Sequence, residues 1–182
     1  NFSQSAGFFD FVSGGANTSR TPALNLGGNF SQTGSAVVTT STLDADIING
    51  TITFNKTGTQ TFSIATQANF DFFNIIIASG STVELNSDIT LSSISTNNWA
   101  GSFTINNGAV LNTSTYHILS SSGGSARTNN DFILSAGATI ITAEADGLEN
   151  GNTGSISTSV ANRTYSSGAD YEFRGATTGT FT

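Results

Sequence analysis

The stretch Phe103-Thr104-Ile105-Asn106-Asn107-Gly108-Ala109-Val110-Leu111 has the form apolar-x-apolar-x-x-Gly-small-x-apolar, and its recurrence decides how the chain reads. Upstream it appears as Ile75-Ile76-Ile77-Ala78-Ser79-Gly80-Ser81-Thr82-Val83, and downstream as Phe132-Ile133-Leu134-Ser135-Ala136-Gly137-Ala138-Thr139-Ile140. A looser copy, Arg163-Thr164-Tyr165-Ser166-Ser167-Gly168-Ala169-Asp170-Tyr171, follows. The turn glycines Gly80, Gly108, Gly137 and Gly168 are spaced by 28, 29 and 31 residues, and Gly58 marks the same turn 22 residues before Gly80. The opening Asn1-Phe2-Ser3-Gln4-Ser5 returns 28 residues on as Asn29-Phe30-Ser31-Gln32-Thr33.

Each copy reads as a short strand, a turn and another short strand. In Thr51-Ile52-Thr53-Phe54 the apolar side chains alternate with hydroxyls, so Ile52 and Phe54 point inward and Thr51 and Thr53 face water. A glycine at a fixed place supplies a backbone conformation that most residues adopt only under strain. No stretch sustains helical periodicity. A repeat of about 22–31 residues is short for a propeller blade and suits one coil of a parallel β-helix, each coil stacking on the last. The expected fold is therefore all-β, a parallel β-solenoid in which residues 1–182 form a single segment of a longer repetitive chain. An antiparallel β-sandwich is the alternative, since short strands with regular turns describe it too.

Composition agrees with that reading and removes some functions. Hydrophobic residues are 36% of the chain and charged ones only 9%, with a single Pro, so neither a disordered nor a helical chain is indicated. Five basic residues against 12 acidic ones give a net charge of −7. A nucleic-acid partner, which requires clustered Lys and Arg, is excluded, and anionic lipid is disfavoured. No run of apolar residues is long enough to insert in a membrane as a helix. Asn1 reads as a processed terminus or a cut within a longer chain.

Three phrases, Gly28-Asn29-Phe30-Ser31-Gln32-Thr33-Gly34, the run from Gly50 to Phe62, and Tyr165-Ser166-Ser167-Gly168-Ala169-Asp170-Tyr171-Glu172-Phe173, carry a family likeness. They resemble the repeat regions of large surface adhesins of Bacteroidota exported by the type IX secretion system, including those of the gliding-motility type. The resemblance implies a secreted, extracellular protein of the bacterial cell surface. Its partners would be neighbouring repeats of the same chain, the outer-membrane type IX machinery and surface polysaccharide.

Chemistry is sparse. Many β-helices cleave polysaccharides, but of the Asn-x-Asp, Asp-Asp, Gly-His-Gly and Arg-x-Lys motifs of the pectin hydrolases only the first occurs, at Asn69-Phe70-Asp71 and Asn129-Asn130-Asp131. Lys56 has no basic neighbour to make it a lyase base. His117, the only histidine, reads as an ordinary strand residue, because a catalytic base requires a positioned partner. With one His and no Cys, zinc lacks its usual ligands. The pairs Asp44/Asp46 and Glu144/Asp146 would each share a strand face, and read as solvated acids more readily than as a glycosidase pair. Glu144, Asp146 and Glu149, among turn glycines and amides, are the best place for calcium, a cation that takes oxygen ligands. Trp99, in a polar corner, either packs or stacks on a sugar ring. The expectation is a non-catalytic structural and adhesive repeat without a cofactor. The alternative is a carbohydrate-binding or polysaccharide-degrading β-helix.

Overall fold

A computed structural model of the chain describes residues 1–10, 22–39, 50–66, 73–91, 93–94, 99–120, 132–149, 153–158 and 163–175. Every regular element among them is a strand. In chain order the first coil gives β1 (Phe2–Gln4) and β2 (Phe8–Asp10), and the second gives β3 (Ala23–Leu26), β4 (Phe30–Gln32) and β5 (Val37–Thr39). Next come β6 (Gly50–Phe54) and β7 (Gly58–Ile64), then β8 (Phe73–Ile77), β9 (Ser81–Leu85) and β10 (Ile89–Leu91). A small hairpin, β11 (Ser93–Ile94) and β12 (Trp99–Ala100), precedes β13 (Ser102–Ile105), β14 (Val110–Ser114) and β15 (Ile118–Ser120). The chain continues through β16 (Phe132–Leu134), β17 (Thr139–Thr142) and β18 (Ile156–Ser157) to β19 (Arg163–Tyr165) and β20 (Asp170–Phe173).

These strands stack into a β-solenoid with roughly 28 residues per coil. One face is a seven-stranded sheet, β1-β4-β7-β9-β14-β17-β20, and a second is a six-stranded sheet, β3-β6-β8-β13-β16-β19. A third, narrower face carries β2-β5 and β10-β15-β18. The strands within all of these pair in parallel, and the one antiparallel pair among the described residues is the hairpin β11–β12. The antiparallel sandwich is thereby ruled out.

Parallel stacking in constant register turns the repeat into columns. On the six-stranded sheet Leu24, Ile52, Ile75, Phe103 and Phe132 lie in line, and beside them Leu26, Phe54, Ile77, Ile105 and Leu134. From Ile52 and Leu26 onward these residues are buried, all at 3% exposure or less. Burying each such side chain stabilises the fold by about 1.5–3 kcal/mol, offset by the chain entropy lost on ordering. On the opposite sheet Phe2, Phe30 and Phe62 form an aromatic column, with ring centroids 4.7 and 5.4 Å apart.

The corner between the two large sheets is the repeated glycine. Gly58, Gly80, Gly108 and Gly137 all take positive φ, from +71° to +92°. Their backbones form one ladder, each N–H donating to the next carbonyl, through Gly80, Gly108 and Gly137 to Gly168, at 3.2, 3.0, 2.9 and 2.7 Å. At Gly80, Gly108 and Gly137 the turn closes by a bond across it, such as Ala109 N–H to Asn106 O at 2.9 Å, with glycine where a type II turn requires φ above zero. Gly168 keeps its place in the ladder without the left-handed φ. Its turn closes by the same bond, Ala169 N–H to Ser166 O at 3.1 Å, and is braced further by Ser166 Oγ accepting from Gly168 N–H and Ser166 O from the Tyr171 hydroxyl.

Candidate functional site

The second corner, between the seven-stranded sheet and the third face, gathers most of the polar chemistry. Here β14 carries a bulge between Asn112 and Ser114, and Ser114 is the one non-glycine residue among those described with positive φ, at 52°. The Asn112 carboxamide oxygen accepts the Ser114 N–H at 3.0 Å, which steadies that conformation. The extra residue turns Thr113 inward, fully buried. Its hydroxyl donates to Ile141 O and meets Ser155 Oγ, both at 3.2 Å, and Ser155 Oγ lies 2.5 Å from Thr142 Oγ1. Thr142 Oγ1 also accepts the Glu144 N–H at 3.0 Å. Buried hydroxyls linked in this way avoid the desolvation cost of lone ones.

On the outside of this corner stands His117. Ile89 and Ile118 are partners on the third face, so Asp88 and His117, each one residue before, fall in the same place on successive coils. The Asp88 carboxylate accepts the His117 backbone N–H at 2.9 Å and lies 3.1 Å from Nδ1. The other ring nitrogen, Nε2, is 3.5 Å from Glu144 Oε2 on the following coil. The sequence reading of His117 as a strand residue without partners is corrected: it lies just before β15, in the corner, between two acids. Reactivity does not follow. A general base presents a nitrogen to substrate, and here each nitrogen faces a carboxylate. A metal wants donors converging on one point, whereas these carboxylates meet different edges of the ring. What the arrangement does is tie three successive coils together. The side chains are 27% (His117), 46% (Asp88) and 19% (Glu144) exposed, so solvent screens the attraction.

The proposed calcium ligands are dispersed. Glu144 faces His117 and accepts its neighbour Ala145's N–H, while Glu149 pairs with the Arg163 guanidinium at 2.9 Å. Asp146 sits in the turn closed by Gly147 N–H to Glu144 O at 3.1 Å. Among the described residues no group of three or more His, Asp or Glu side chains is placed to hold a metal ion. Asn150, Gly151 and Asn152 lie outside the described residues, as do Asp44, Asp46, Asn69, Phe70, Asp71 and Asn129 to Asp131. Trp99 begins β12, opposite Ile94 of β11. Lys56 lies in an exposed turn, its N–H bonded to the buried Gln60 side chain at 3.0 Å.

Sequence reading missed Arg163, which extends the Phe103–Phe132 column with a charge. Its side chain is 2% exposed, and besides Glu149 it reaches Thr158 Oγ1 at 3.3 Å and donates to Thr158 O. Removing one member of such a buried pair costs about 3–5 kcal/mol, because the other is left charged and unpaired. Beside it the Tyr165 hydroxyl is buried without a hydrogen bond among the described residues. Burial, and then the nearby Glu149 carboxylate, push the phenol's pKa well above its usual value. A signal for both sites existed in the repeat itself. Aligning coils by their glycines places Arg163 under Phe132, and Asp88 lies 29 residues before His117, one coil length.

Among family models, curated proteins and solved structures, none matches this chain.

Proposed function

We propose that the chain is a structural and adhesive stretch of rod within a large secreted protein of the bacterial cell surface, without catalysis of its own. The observation that carries this reading is the parallel stacking of one repeated coil through the two large sheets, its glycine corners bonded in a single ladder from Gly58 to Gly168. Such a stack gives reach, since each added coil lengthens it by about 4.8 Å. It also resists local opening, because each interior strand is bonded to a coil on both sides. The outward positions of the six-stranded sheet are mostly polar and uncharged, among them Thr51, Thr53, Asn74, Ser102 and Thr104, with Ile76 and Ile133 interspersed in the same column. The family likeness of the repeats supports export by the type IX route. It also supports the expected partners: neighbouring repeats, the secretion machinery and surface polysaccharide.

The test pairs a location with an effect. Antibody raised against residues 1–182 is expected to label intact, unpermeabilised cells of the source bacterium. In-frame removal of the segment from its parent protein is expected to weaken attachment to surfaces. Labelling that requires permeabilisation, or release of new reducing ends from a polysaccharide by the purified segment, would overturn the reading.

A further inference from the structure

The outward positions of the six-stranded sheet form two straight columns. In one, Asn25, Thr53, Ile76, Thr104, Ile133 and Thr164 are partners from strand to strand. In the other the partners are Ala23, Thr51, Asn74 and Ser102. The register holds across these strands without a bulge. Strand pairing sets the step along a column at about 4.8 Å, and two residues of strand set the columns about 6.7 Å apart. Within the second column the Ser102 hydroxyl donates to Asn74 Oδ1 at 2.8 Å, which fixes both side chains. The inward columns of Ile, Phe and Leu behind them are the kind of ladder that keeps a many-stranded sheet flat.

This face carries no charge, in a chain whose net charge is −7. The one charged residue of the six strands, Arg163, has a side chain only 2% exposed, paired with Glu149. The aromatic residues of these strands stand in the inward columns, so no ring faces out. The opposite sheet has the same period and a different surface. Its outward columns set Glu84, Asp170 and Glu172 among Thr59, Thr82 and Thr139, and β14 is bulged.

These features select a ligand. A charged macromolecule gains no ion pair on the uncharged face, and the flat side of a sugar is gripped by aromatic rings, which it lacks. Two rods pressing such faces together would share roughly 400 Å² each, about half of the ~800 Å² per partner in a stable interface. Ice is uncharged, flat and periodic, and its surface oxygens repeat within a few tenths of an ångström of the strand spacing. Water over methyl groups is already restricted in orientation, and hydroxyls at that period anchor it.

We infer that the outward face of the six-stranded sheet is an ice-binding surface, whose columns of Thr, Ser, Asn and Ile order water in register with the ice lattice. The activity belongs to the face alone, so it holds or fails separately from the adhesive reading.

The test grows a single ice crystal in a solution of the chain and reads the gap between its melting and freezing temperatures, together with inhibition of recrystallisation in a frozen film. The unaltered chain is expected to open that gap and to keep the ice grains small. Thr104→Lys sets a hydrated charge in the middle of one column and should abolish most of both effects. Thr82→Lys, the same change at an outward threonine of the opposite sheet, should leave them intact. Should Thr104→Lys fail to fold by circular dichroism, Thr51→Lys in the other column carries the same readouts. Absence of both effects in the unaltered, folded chain overturns the inference, as does a folded Thr104→Lys that keeps them or a folded Thr82→Lys that loses them equally. Retention on crystalline cellulose, or self-association in sedimentation velocity, overturns it where ice is left unaffected.

Discussion

The two corners of the coil do the same geometric job and are built on opposite terms. At the first, the link keeps its length, the residue in the left-handed conformation is glycine at four successive coils (Gly58 one place later than the other three, opposite Ser81), and small buried residues such as Ala109 and Ala138 stack behind it. At the second, the link grows from residues 115–117 to residues 143–155, a serine takes the left-handed conformation, and hydroxyls and ion pairs fill the space. A corner repeated in sequence is stabilised by stacking identical backbone on identical backbone. A corner that varies must satisfy each of its polar groups individually, and that is where side-chain chemistry accumulates.

The largest effect is expected from breaking the uniform corner. At Gly108, φ is +72° and a Cβ would lie 3.0 Å from Ser79 Oγ. Gly108→Val places a β-branched residue in a region that L-residues avoid, and should destabilise the fold by about 2 kcal/mol. A urea titration with an unchanged slope would mark this as a loss of native stability. The second corner already tolerates Ser114 at φ 52° because Asn112 holds its N–H. If Gly108→Val matches wild type, the glycine column is a habit of the repeat and not its hinge.

A paired substitution tests the contrast more directly, because the two corners should respond with opposite sign. Ser81 lies at the first corner, 1% exposed, and its hydroxyl is buried with no hydrogen bond among the described residues. The same place two coils on is Ala138, so Ser81→Ala should raise stability by about 1 kcal/mol. Thr142, equally buried at the second corner, bonds Ser155 and the Glu144 N–H. Thr142→Val keeps the shape, strands those partners, and should cost about 1–2 kcal/mol. Thermal melts of the two variants moving in the same direction would dissolve the distinction.

The same difference explains what could be read from the sequence. The glycines at 80, 108 and 137, and the alternation in Ile52 and Phe54, recur at coil length, so the parallel solenoid and its first corner were legible. Recurrence also pointed to Gly168, although its turn reaches the same ladder position with a different φ. The second corner was opaque because its members are unlike one another: Asp88, His117 and Glu144 come from three coils, and no local motif announces that they meet. Glu144 and Glu149 were grouped by nearness in sequence as one oxygen-rich site. The fold sends one to His117 and the other to Arg163, because the turn closed by Gly147 N–H to Glu144 O stands between them.

The smallest effect is expected at His117, and its size decides how the variable corner works. If the acid–imidazole–acid column contributes mainly charge, then His117→Gln should cost no more than about 1 kcal/mol, since all three groups are reached by solvent. Asp88→Asn should cost a similar amount, because the carboxamide oxygen can still accept the His117 backbone N–H that Asp88 now takes at 2.9 Å. Asp88→Ala removes that acceptor as well and should cost more, by roughly another 1 kcal/mol. A double-mutant cycle between His117→Gln and Asp88→Asn isolates the charge from the backbone bond. A coupling near zero with a large Asp88→Ala cost would mean that Asp88 is a backbone anchor and His117 a passenger. A coupling of about 1 kcal/mol that shrinks as salt is added would make the column a working tie between coils.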